Sequence, residues 1–325
     1  MLIPIAVVVV ATNVYVAGES ALCSAPHHNV HFGYHFGSED DPSHWHELDK
    51  DTHCCDGSNQ SPININTQDA KCAKLDPIQY LPKYRKEISG SLKINGHGAS
   101  LAFFKNNLLM TKNIPFSDAQ YVLHSIHFHS PSEHLVDGKR FDGELHLVHY
   151  NKRYGSVGAS VGKEDGLAVV GVFLEVIRSL HTLSIGFHET KGTTTFSSFY
   201  TLRSSLLSDS AIVPQVAGES EDNAFNRFVD GVAKLKGDEA ENVSLDPREL
   251  LLMTDDYYTY KGSLTTPPCS ESVRWVVMDL PVLTTTDRLK VLKKVPVSGG
   301  DPLSVDTNVR PAQPVNGRPI YVVCW

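Results

Sequence analysis

From Gln60 onward the chain repeats one pattern, short runs of β-branched and aromatic residues broken by Gly, Pro or Asn. The runs include SLKINGH, ASLAFF, YVLHSIHFH, ELHLVHY, LAVVGVFLEV, SVRWVVMDL and PIYVVCW. Stretches of this length with alternating side chains read as strands, since a helix needs a longer segment of 3.6-residue periodicity. The pattern predicts a mainly β chain built on an antiparallel or mixed sheet, and argues against a helical bundle. The best helix candidate runs from Asp222 to Leu235. There Phe225, Phe228, Val229, Val232 and Leu235 recur at intervals of three and four, and Gly237 can stop the helix.

The sequence has 325 residues, with 41% hydrophobic and 20% charged, the balance of a chain able to bury a core. No internal repeat or Pro/Gly linker divides it, so residues 19–325 read as one domain. A Ser/Thr-rich stretch around 177–215, containing TTTFSSFYTLRSS, reads as an insertion. The net charge of -8 argues against general nucleic-acid binding. At the N-terminus the apolar run Leu2 to Val16 is shorter than the roughly 20 residues of a membrane span and ends in small residues. Residues 1–18 therefore read as a signal peptide lacking the usual basic start, which predicts a secreted or extracytoplasmic protein without a transmembrane anchor.

Cysteines stand at 23, 54, 55, 72, 269 and 324. None forms a CxxC pair, and their even count favours disulfides whose pairing the sequence leaves open. The extra cysteines and the insertion are candidate contacts for a protein partner or a second copy. Asn59 in NQS and Asn242 in NVS match the N-glycosylation triplet, although Pro62 follows the first.

His127 and His129 lie two apart in SIHFHS, and Glu144, His146 and Val148 alternate in ELHLVHY. On two neighbouring antiparallel strands the three histidines would share one face. Three neutral nitrogens with a fourth position left for water form a catalytic zinc site. His149 has the opposite phase to His146 and reads as core or support; His124 is likewise out of phase with His127. Glu144 can accept the remaining N–H of His146 and fix its tautomer. Glu133 is a candidate buried acceptor, and Thr265 or Thr266, stiffened by the two prolines after them, can pass a hydrogen bond to such a carboxylate. His97 in INGHGAS is a candidate proton carrier, because an accessible histidine titrates near neutrality.

Together these residues resemble an α-class carbonic anhydrase. The shared motifs are QSPININT at 60–67, NGH at 95–97, HFHSPSEH at 127–134, ELHLVH at 144–149, YKGSLTTPPCSE at 260–271 and NVRPAQP at 308–314. The resemblance implies a large, twisted, mostly antiparallel central sheet with short peripheral helices. It implies Zn2+ held by His127, His129 and His146, and reversible hydration of CO2 to bicarbonate and a proton. Thr265 matches the residue that orients the nucleophile and donates to Glu133, Thr266 the neighbour that contacts bicarbonate, and His97 the proton shuttle. Tyr34 and Asn95 match residues that order water along the proton path, and Glu144 the partner of the third ligand. Val148, Val169, Leu264, Val273 and Trp275 match the apolar wall of the CO2 pocket. In secreted members the cysteines at positions 55 and 269 are paired.

Two departures stand out. Ser125 occupies the place of a glutamine that supports the first zinc histidine, and the short SPS loop resembles the compact form of bacterial, algal and plant members. The competing reading is a binding, matrix or storage protein on the same scaffold, against which the chain keeps all three histidines. No HExxH supports a peptidase.

Overall fold

Strands that alternate apolar and polar residues need partners on both edges, and the chain supplies them by folding back on itself repeatedly. The computed structural model describes residues 30–81, 87–104, 110–177, 222–251, 256–296 and 307–324. The expected signal segment 1–18 and nearly all of the 177–215 insertion lie outside the described residues. Nine strands carry the architecture: β1 (Ile88–Ile94), β2 (Ala99–Phe103), β3 (Tyr121–His129), β4 (Gly143–Asn151), β5 (Leu167–Val176), β6 (Glu241–Leu245), β7 (Tyr257–Gly262), β8 (Val273–Met278) and β9 (Tyr321–Val323).

They belong to a 13-stranded sheet among the described residues, in the order β6-β1-β2-β3-β4-β5-β8-β7-β9 and then the short strand Lys71–Ala73. Neighbours are antiparallel, except that β5 with β8 and β9 with Lys71–Ala73 run parallel. A 3-stranded sheet joins Asn64–Ile65, Leu135–Val136 and Lys139–Arg140. The fold is thus dominated by a mostly antiparallel sheet with few short helices, as expected.

Each face of the central strands buries its own apolar cluster. One contains Leu123, Ile126, Phe128, Leu145, Leu147, Val170 and Val172. Helix α1 (Ala224–Lys234) covers this face with Phe225, Phe228, Val229 and Val232, each side chain contributing roughly 1.5–3 kcal/mol by leaving water. Its N-terminus is capped by the Asn223 side chain, which accepts from Asn226 N at 2.9 Å. The other cluster contains Val122, Val148, Tyr150, Val169, Phe173, Val273 and Trp275, and this second face carries the histidines.

The β3–β4 register corrects one expectation. Val148 pairs with Ser125 and His149 with Leu123, so His124 is an extra residue on β3, a bulge. Strict alternation sends His124 away from His127, but the bulge returns it to the histidine-bearing face. There its ring meets Tyr150 edge-on at 6.3 Å. His149 does face the other side, buried against Tyr80, whose hydroxyl lies 3.0 Å from His149 Nε2.

Candidate metal centre

His127 and His146 stand directly opposite each other on β3 and β4, and His129 follows two residues along β3. Ring centroids are 5.2 Å apart for His127 and His146, 4.5 Å for His129 and His146, and 5.0 Å for His127 and His129. One nitrogen from each lies within 4.8 Å of the others.

Hydrogen bonds decide which nitrogen two of the rings offer. His129 Nδ1 donates to the Asn308 carbonyl at 2.7 Å, leaving the Nε2 lone pair to point inward. His146 does the reverse: Nε2 donates to Glu144 Oε1 at 2.9 Å, so Nδ1 faces the cluster. His129 Nε2 and Glu133 Oε2 are buried without hydrogen-bond partners and lie 3.5 Å apart. Buried acceptors left unpaired are costly, and a small divalent cation beside three neutral nitrogens satisfies that arrangement. Burial lowers the pKa of His127 well below its ordinary value, helped by His129 and His146; burial also lowers that of His129. Both are therefore held in the neutral form that ligates a metal. The cluster is a zinc site.

Behind the ligands lies a network that is largely absent from the sequence reading. Glu144 Oε1 accepts from His146 Nε2 and, at 2.8 Å, from His134 Nδ1. Its Oε2 accepts the backbone N–H groups of Glu133 and His134 at 2.9 and 2.8 Å. Burial alone would raise its carboxyl, but His134 and His146 and their hydrogen bonds hold it well below the usual carboxylate range. The chain continues through His134 Nε2 to Tyr260 Oη at 2.7 Å and from Tyr260 to Ser61 Oγ at 2.9 Å. Both His134 nitrogens have protein partners, so His134, Glu144 and His146 form a relay of hydrogen bonds and not a second metal site. Gly171, opposite His146 on β5, leaves room for this carboxylate: a Cβ there would sit 2.7 Å from Glu144 Oε1.

The remaining expected site residues differ in what surrounds them. Glu133 is fully buried, and its Oε1 accepts the backbone N–H of Arg310 at 2.8 Å. Thr265 is buried and Thr266 half-buried, but among the described residues no hydrogen bond joins Thr265 to the unpartnered Glu133 Oε2. Val148, Val169, Val273 and Trp275 form one apolar cluster with Leu264 packed against it. Ser125 sits across from Val148, with no hydrogen bond to His127 among the described residues.

His97 differs from a freely exposed imidazole. It stacks on Phe32 at 3.7 Å between centroids, and burial, then His31, lower its pKa to about 4. Asn95 Oδ1 accepts the His97 N–H at 3.0 Å, so the side chain shapes its own loop. Tyr34 packs edge-on against Phe32, Trp45 and His97, with a buried, unpartnered hydroxyl whose pKa burial and Glu133 raise well above the ordinary value.

Cys55 and Cys269 form a disulfide, as the resemblance implied, tying the segment with Phe32 and Trp45 to the Thr265 loop. Cys72 and Cys324, unassigned from the sequence, are joined within the chain, and Cys54 is also disulfide-bonded. This removes Cys72 and Cys324 as intermolecular contacts. Of the glycosylation candidates, Asn59 donates from its side chain to Glu271 at 3.1 Å, whereas Asn242 is exposed on β6.

The model of the eukaryotic-type carbonic anhydrase family matches residues 40–208 and 187–324. The chain belongs to that family. Human carbonic anhydrase 7 is 32% identical over 300 residues, covering 89% of this chain and 96% of its own length. Mouse carbonic anhydrase 7 is 31% identical over the same shares, and carbonic anhydrase 3 of Equus caballus is 30% identical over 87% of this chain and 95% of its own.

These relatives overturn two expectations. They are mammalian carbonic anhydrases, so the compact SPS loop does not assign the chain to bacterial, algal or plant members. Nor are they of the secreted type, and the secreted or extracytoplasmic placement is corrected accordingly. The apolar run behind that placement lies outside the described residues. No helix among the described residues is long and apolar enough to cross a membrane. The family and the three-histidine centre together make this carbonic anhydrase a zinc-dependent enzyme of reversible CO2 hydration.

Proposed function

We propose that the chain's own residues divide the hydration of CO2 into holding, orienting, enclosing and proton export. The observation that carries this reading is the buried, unpartnered pair His129 Nε2 and Glu133 Oε2 beside His127 and His146. His127, His129 and His146 would hold the ion, with Nε2 of His129 and Nδ1 of His146 left free for it by their other hydrogen bonds. Zinc, when bound, acidifies a water so that a nucleophile exists near neutral pH.

The Thr265 hydroxyl would donate a hydrogen bond to Glu133 Oε2, leaving its own oxygen lone pairs to accept from, and so orient, such a nucleophile. The backbone N–H of Arg310 on Glu133 Oε1 fixes the carboxylate for this task. Thr266 contacts the bicarbonate formed. Val148, Val169, Leu264, Val273 and Trp275 provide a dry wall suited to uncharged CO2 and unfavourable to the charged product. Asn308 and Glu144 orient His129 and His146 and raise their basicity. His97 carries the released proton outward after its ring leaves Phe32, with Tyr34 and Asn95 lining the path.

The decisive experiment is stopped-flow CO2 hydration on protein of measured zinc content, with His129→Ala as control. Fast turnover near one zinc per chain, lost together with zinc in the variant, is the expected result. Full zinc without turnover would overturn the catalytic reading and leave a binding scaffold.

A further inference from the structure

Each CO2 hydrated to bicarbonate releases one proton, which has to leave a site walled by Val148, Val169, Val273 and Trp275. The route through His97 is constrained. That ring lies flat on Phe32, at 7° between planes, with Nδ1 buried and unpartnered. Held near a pKa of 4, it is a weak acceptor for a donor that ionises near neutrality.

A second imidazole stands on the same face of the sheet. His124 is the bulged residue of β3, and the bulge turns it from the opposite face to the side carrying His127 and His146. Its ring is half-buried and meets Tyr150, a member of the apolar cluster that walls the site. Three residues of strand place its Cα within about 10 Å of that of His127, a span that a short chain of waters bridges. Bulges recur beside active sites, where they re-aim a side chain.

We propose that His124 is a second proton-transfer residue, working in parallel with His97 to carry the proton released in hydration from water in the cavity to external buffer. An O–H bond of water breaks and an imidazole N–H forms; buffer then removes that proton and restores the neutral ring. The inference rests on the CO2-hydration reading and adds a residue to it.

The test compares wild type, His97→Ala, His124→Gln and the double variant by stopped flow and by oxygen-18 exchange, at low buffer, with zinc content and thermal midpoint measured for each. The expected result is kcat/KM for CO2 within about two-fold in all four. In the double variant kcat falls roughly ten-fold below His97→Ala and recovers with added imidazole. A readout independent of turnover is the His124 imidazole signal in the zinc-free protein, assigned by its loss in His124→Gln. It is expected to titrate reversibly with pH.

A double variant no slower than His97→Ala overturns the inference, as does a His124 signal that does not titrate. Parallel loss of kcat and kcat/KM without imidazole rescue also overturns it, because that pattern marks a structural role. Wild type that carries zinc yet hydrates no CO2 fails at the earlier step and removes the hydration reading itself.

Discussion

At the scale of single residues, the charge on Glu144 matters less than the geometry of its four hydrogen bonds. Each oxygen faces two donors: the His134 and His146 ring N–H groups on one, and two backbone N–H groups on the other. A glutamine must turn its NH2 toward one of those pairs, where it meets donors instead of acceptors. Glu144→Gln therefore releases His146 from its tautomer or unseats the backbone at Glu133. The expected outcome is zinc affinity lower by roughly 10–100-fold, read by competition with a chromophoric chelator. Unchanged affinity would show that His146 keeps its orientation without Glu144.

At the scale of strands and loops, what the sequence made legible follows from the range of each interaction. The three ligands and Glu144 were readable because period-2 alternation puts them on one face of adjacent strands, β3 and β4. The α1 amphipathic stripe was readable for the same local reason. His124 was misphased because a bulge adds one residue without marking itself in composition. His134, Tyr260, Asn308 and Arg310 stood in conspicuous motifs but had no role from spacing. Their contacts bridge loops far apart in the chain, as between His129 and Asn308, 179 residues away. Cys72 and Cys324 meet only because β9 lies beside Lys71–Ala73, a pairing that spans nearly the whole sequence.

The same strand scale gives a prediction at β5. An alanine at Gly171 places its methyl 2.7 Å from Glu144 Oε1, and that carboxylate is pinned by four donors. Gly171→Ala is expected to leave the protein folded while lowering zinc affinity by roughly ten-fold or more. Circular dichroism and the chelator competition check this together. Normal affinity in a folded variant would mean that β4 and β5 can separate slightly at no cost to the centre.

At the scale of the whole molecule, the sheet is a partition between two kinds of histidine environment. One face gathers His127, His129 and His146 at the metal centre; the other buries His149 in the apolar core. His149 Nδ1 lies 3.3 Å from the Ala168 carbonyl and Nε2 lies 3.0 Å from Tyr80 Oη, so the neutral ring satisfies both nitrogens. Burial lowers its pKa from 6.5 to about 4. Unfolded chain takes up a proton there below about pH 6.5, while folded chain resists until about pH 4. Stability from this residue is therefore complete above about pH 6.5 and is lost as pH falls toward 4, with a total of roughly 3 kcal/mol. Zinc would mask the effect through its own proton competition at His127, His129 and His146, so the zinc-free protein is the one to measure. Urea unfolding across pH 4 to 7 should show a steep acid-side fall in wild type and a shallower one in His149→Gln. The variant's lower stability at neutral pH does not enter that comparison, because only the slope reports the buried proton site. Equal slopes would assign the acid lability to the empty metal centre instead of to the core.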